Sequence, residues 1–124
     1  MKLLHLGAAS FFVFSSLSIA AECEEHAEGS SPWERCLASK SLSDADKTLN
    51  KTYLDLRSAL SKPESSSELK MLISSQRAWI SYRDESCALV HALKDGMHDV
   101  YKDLCQSELT EERTKFLQSV LNEI

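Results

Sequence analysis

The stretch LSDADKTLNKTYLDLRSALSKPESSSELKMLISSQRAWISYRDESCALV, residues 42–90, sets the fold. In its first part Leu42, Ala45, Leu49, Tyr53, Leu56 and Leu60 recur at spacings of three and four, which places them on one stripe of an α-helix. In its last part Leu69, Leu72, Ile73, Gln76, Trp79, Ile80, Arg83, Cys87 and Val90 share a face in the same way. Pro63 is the first breaker in the run, and residues 61–66 read as a turn. A turn this short forces the two helices antiparallel, so residues whose numbers sum to about 127 are expected side by side.

Working outward, Ser31-Pro32-Trp33-Glu34 reads as a helix start, with Ser31 as N-cap, Pro32 at the first helical position and Glu34 reaching back. Ser65-Ser66-Ser67-Glu68 repeats that logic for the second helix, which is expected to end near Gly96. His98 to Gln106 reads as a short helix, and Thr110 as the cap of a last one carrying Phe116, Leu117, Val120, Leu121 and Ile124. No segment alternates as a strand does. The expected class is all-α: a small helical bundle built on a long antiparallel helical hairpin and stapled by disulfides.

Residues 1–21 read as a cleaved signal peptide, with Lys2 as a positive start, a mostly apolar run from Leu3 to Ile19, and the small-residue end Ser18-Ile19-Ala20-Ala21. Residues 22–124 then form one helical domain, expected in the periplasm or secreted from a bacterium, with no stable membrane insertion after cleavage. Glu22 separates Ala21 from Cys23, which argues against a lipid anchor. Removing Lys2 from the 14 basic residues leaves 13 against 19 acidic ones, a formal charge of −6. That balance disfavours nucleic acid and anionic membranes and suits a basic partner. Cys23, Cys36, Cys87 and Cys105 all lie in the mature segment, the pattern of two disulfides in a short exported chain. Their spacing holds no C-x-x-C pair, which disfavours zinc, and four cysteines allow three connectivities. The acidic arm from Glu22 to Ser30 would be loose if Cys23 did not tether it.

The mature segment has only Gly29 and Gly96 and shows no phosphate loop, nucleophile with base, or convergent carboxylates, so no catalytic, cofactor or metal site is expected. Asp84 and Glu85, or Asp44 and Asp46, point in different directions on a helix. His91 and His98 read as histidines near a helix end rather than metal ligands. More informative are the polar residues inside the apolar stripes: Asp46, Asn50 and Tyr53 on the first helix, Gln76 and Arg83 around Trp79 on the second. Hairpin pairing suggests hydrogen bonds from Asp46 to Arg83 and from Asn50 to Gln76, a network that fixes register.

The same residues carry a resemblance. The segments Ala45-Asp46-x-x-Leu49-Asn50-x-x-Tyr53, Gln76-Arg77-Ala78-Trp79-Ile80-x-Tyr82-Arg83-Asp84-x-x-Cys87 and Tyr101-x-x-x-Cys105-x-x-x-Leu109-Thr110-x-x-Arg113 resemble the LprI-type lysozyme inhibitor domain over nearly the whole mature chain. The resemblance implies an exported helical domain, no enzyme activity, and a protein partner such as lysozyme or another basic hydrolase. It also implies the pairs Cys23–Cys36 and Cys87–Cys105, while the hairpin reading leaves Cys36–Cys87 with Cys23–Cys105 open. The leading function is inhibition of a lysozyme-type peptidoglycan hydrolase by occlusion. The alternatives are an immunity protein against a delivered toxin and a non-inhibitory envelope adaptor. Loops usually carry such contacts, so the Lys94–Asp99 connection and the Ser61–Ser67 turn are the expected docking elements.

Overall fold

The computed structural model describes residues 22–94 and 99–124. They form three α-helices: α1 (Ser31–Ala59), α2 (Ser66–Leu93) and α3 (Asp99–Leu121), with a short 3₁₀ turn at Pro63–Ser65 between the first two. The signal peptide expected over residues 1–21, and Gly96 and His98 of the expected second connection, lie outside the described residues.

Gly29, at φ +76°, turns the acidic arm into α1, a backbone angle that glycine adopts without steric cost. The N-cap is then Ser30 rather than the expected Ser31: its backbone is extended and its Oγ accepts from the Trp33 N–H at 3.4 Å. Pro32 follows in the first turn, where its missing N–H costs nothing. At the far end the Leu60 N–H bonds the Leu56 carbonyl and the Ser61 hydroxyl donates to the Arg57 carbonyl. Helix α2 starts from the 3₁₀ turn, and Ser65 makes no side-chain capping bond.

The third helix corrects the sequence reading. The expected break near residue 107 is absent, and α3 runs unbroken from Asp99 to Leu121. No proline or glycine interrupts it, and Thr110 is no cap: it is fully buried, its Oγ1 accepting from Arg83 on α2.

Helix α3 lies along both arms of the hairpin, while the backbones of α1 and α2 scarcely approach one another. It runs parallel to α1, with the Ser41 and Ser107 hydroxyls bonded at 2.8 Å, and antiparallel to α2, to which Cys87–Cys105 and the Gln76–Arg113 bond join it. The α1–α3 contact is close because its residues are small. Ala38, Ala45 and Thr52 are buried on α1, as are Ser107, Thr110 and Thr114 on α3. Thr52 and Thr114 donate their hydroxyls to the carbonyls of Thr48 and Thr110 one turn earlier, so burial leaves neither of these two donors unpaired.

The bundle is graded along its length. At the turn end Leu49, Leu56, Leu72 and Leu117 form the apolar core, with Tyr53, Leu60, Trp79, Val120 and Leu121 packed around it. Each buried leucine contributes about 1.5–3 kcal/mol, so this core alone is small. The opposite end has the disulfides instead. Cys23–Cys36 ties the arm to the start of α1, and Cys87–Cys105 ties the end of α2 to the start of α3. Cys23 and Cys87 are fully buried, and by restricting the unfolded chain each bridge adds on the order of 2–4 kcal/mol. Ile80, placed by periodicity on the buried stripe of α2, stands at its exposed edge.

If small side chains set the α1–α3 distance, Ser107→Leu forces the helices apart and loses the bond to Ser41. It is expected to destabilise the fold by about 1–3 kcal/mol in chemical denaturation. Leu54→Ala, at an exposed position on α1, should change stability by no more than about 0.5 kcal/mol.

Candidate functional site

Between the leucine core and the disulfides lies a band of polar side chains drawn from all three helices, and most of the sequence motif is in it. Arg83 is its centre. Its Nη1 donates to Asp46 Oδ1 on α1 at 2.9 Å and to Thr110 Oγ1 on α3 at 3.1 Å, and its Nε donates to Asp84 Oδ1 at 3.0 Å. Only 14% of the Arg83 side chain is exposed, so its charge is held mainly by these partners rather than by water. Asp84 in turn accepts from Gln106 Nε2 on α3.

A second arginine holds the α2–α3 contact one turn further along. Arg113 on α3 donates from Nε to the buried Gln76 Oε1 and from Nη2 to Ser75 Oγ, both at 3.0 Å. Trp79 lies between the two systems, with the guanidinium carbons of Arg83 and Arg113 at 5.1 and 5.9 Å from its ring centroid. Phe116 is 5.3 Å from Arg113 and more than half exposed. Burial lowers the pKa of Arg113 from its ordinary value, yet a guanidinium starts so basic that it stays charged throughout the working range.

The Asp46–Arg83 bond joins the two residues that hairpin register brought together. The expected Asn50–Gln76 pair does not form: Asn50 is exposed, and Gln76 faces α3. The two-helix reading failed here because the third helix, not the first, supplies the partner. Tyr53 is half-buried against the leucine core. Sequence reasoning gave no part to Ser75 or Gln106 and misread Thr110. A usable signal existed for α3, since Gln106, Thr110 and Arg113 fall at spacings of four and three.

Other features are peripheral. A shallow groove of about 330 Å³ between α1 and α3 is lined by Ser41, Asp44, Ala45, Thr48, Glu111, Thr114, Lys115 and Gln118. The arm is fixed by a hydrogen bond from Lys40 to Glu22, which raises the pKa of Lys40 against a smaller desolvation effect. Among the described residues no cluster of His, Cys, Asp and Glu is able to hold a metal ion, and His91 Nδ1 is buried without a hydrogen-bond partner. No helix of the described residues is long and apolar enough to cross a membrane.

Asp103 near the start of α3 has a raised pKa, chiefly from desolvation and then from Asp99, with Lys102 opposing. A carboxyl raised in the fold favours the protonated state, so its stabilising contribution is present below the ordinary 3.8 and lost as pH rises through the raised value. Asp103→Asn should therefore stabilise the protein at pH 7 by up to about 0.5 kcal/mol, and the gain should vanish in melts below the ordinary carboxyl range. Arg83→Met leaves Asp46 and Thr110 without their donor and is expected to cost about 2–3 kcal/mol in urea denaturation. Arg83→Lys should recover less than half of that, because an ammonium lacks the planar fork.

With this geometry in view, comparison with known proteins gives one match: the family model described as Lysozyme inhibitor LprI aligns with residues 23–117. Neither a curated protein nor a solved structure matches the chain.

Proposed function

We propose, from the premise that this chain belongs to the lysozyme inhibitor LprI family, that it binds a lysozyme-type peptidoglycan hydrolase outside the cytoplasm and blocks its substrate cleft. The match across residues 23–117, which spans both disulfides and all but the end of the helical body, carries this reading. Two features support it. The disulfides suit an oxidising compartment, where such hydrolases act. The formal charge of −6 left after removal of Lys2 suits a basic target, because opposite net charges accelerate encounter.

The body is suited to occlusion rather than turnover. Its motif residues sit on three packed helices, and a rigid surface loses little conformational freedom on docking. The Ser61–Ser67 turn is largely exposed and remains available as a contact, while residues 95–98 of the Lys94–Asp99 connection lie outside the described region. Inhibition then follows from excluding the glycan strand from the cleft, with no chemical step on the inhibitor.

The test is a titration of oxidised residues 22–124 against a basic animal-type lysozyme, following binding and peptidoglycan hydrolysis at low and physiological salt. The expected result is a stoichiometric loss of hydrolysis, with association slowed by salt. Unchanged hydrolysis at micromolar inhibitor would contradict the reading.

A further inference from the structure

The two arginines of the polar band differ in how their charge is met. Both arginine ion pairs among the described residues belong to Arg83, which has Asp46 and Asp84. Arg113 is bonded to neutral acceptors, Gln76 Oε1 and Ser75 Oγ, and pairs with no carboxylate among the described residues. It is nevertheless partly desolvated and lies within cation–π range of Trp79 and Phe116. A cation withdrawn from water without a counter-charge is costly in a chain that has carboxylates in excess.

The geometry of the remaining donors shows what the site would take. A guanidinium has five N–H groups. Gln76 and Ser75 occupy the side edge formed by Nε and Nη2, which leaves the end edge of Nη1 and Nη2. Two parallel N–H bonds on that edge match a carboxylate bidentately. The anchoring acceptor, Gln76, is buried, so the fork is held in a fixed direction by the core rather than by a loop. Around it stand exposed apolar groups: Phe116 one turn along α3, and Met71 one turn before Ser75 on α2. An arginine framed by aromatic surface is the composition of an interface hot spot.

We propose that Arg113, with Phe116 beside it, is the group by which this chain engages its target, donating its free edge to a carboxylate in the cleft of the hydrolase. This rests on the inhibitor reading given above. Glycoside hydrolases of the common types flank the scissile bond with two carboxyl groups, so their clefts offer the anion that Arg113 lacks. Net acidity and a local cation are compatible, since the first steers the approach to a basic enzyme and the second acts only at contact. The docking face is then the α2–α3 surface at residues 71–79 and 113–116, not a loop.

The decisive variant supplies the missing anion from within. Ser75→Glu places a carboxylate at the position that already bonds Arg113, on an exposed helical site, and neutralises the guanidinium from within. It is expected to melt no lower than the wild type while inhibiting a basic animal-type lysozyme at least ~30-fold more weakly. Phe116→Ser removes a ring that is more than half exposed and whose contact is with Arg113, should melt near the wild type, and is expected to weaken inhibition about tenfold. Wild-type inhibition by both folded variants overturns the role of Arg113 and leaves the inhibitor reading standing. Failure of the wild-type protein to inhibit removes the inhibitor reading and this assignment with it. Should Ser75→Glu misfold, the Phe116 variant decides, because its side chain is exposed.

Discussion

The Arg83 guanidinium joins all three helices: it stands on α2, reaches Asp46 on α1 and Thr110 on α3, and lies over the Trp79 ring. Because a largely buried cation must keep its partners, this one residue restricts how the helices slide and rotate against each other. The α1–α2 register depends on it in particular, since those two backbones scarcely meet and α3 fills the space along them. Removing the bond frees more than a pair of side chains: it leaves a carboxylate, a hydroxyl and a tryptophan face without what they were arranged around.

The rest of the molecule can be read as support for that band from either side. Toward the Pro63 turn, leucines from each helix close the bundle by apolar burial. Toward the other end apolar side chains give way to Cys23–Cys36 and Cys87–Cys105, and the covalent links take over where burial is insufficient. The narrow α1–α3 seam connects the two regimes. Ala, Ser and Thr allow close approach, and Thr52 and Thr114 conceal their hydroxyls by bonding the preceding turn.

How far the sequence revealed this follows from which forces leave a periodic trace. The helices α1 and α2 and the turn between them were legible, because large apolar residues repeat at helical spacing until Pro63 breaks the run. The Asp46–Arg83 bond was legible too, since hairpin register sets Asp46 opposite Ser81, within reach of Arg83, the polar residue two positions on in the stripe. The place of α3 was not. Its contact with α1 is made of small and hydroxyl-bearing residues that apolar periodicity passes over, and its threonine at 110 has the same letter as a cap. That single misplacement propagated: without α3 in the middle, Gln76 had only Asn50 to be paired with. The motif residues were recognised, whereas their division into a neutralised Arg83 and an unpaired Arg113 required coordinates.

That division separates what holds the fold from what is left for a partner. Arg83 is satisfied and enclosed, while Arg113 is equally well fixed but retains donors, charge and exposed aromatic surface. On the proposed reading no flexible loop is needed, because the contact group is already oriented by the core before the target arrives. The most direct check is a titration of isotope-labelled protein with unlabelled basic lysozyme, following the Trp79 indole N–H and the Arg113 Nε–H by NMR. Shifts centred on these two groups and on the amides of residues 71–79 and 113–116 are the predicted result. Shifts confined to the Glu22–Ser30 arm or the Ser61–Ser67 turn, with Trp79 and Arg113 unmoved, would contradict the account.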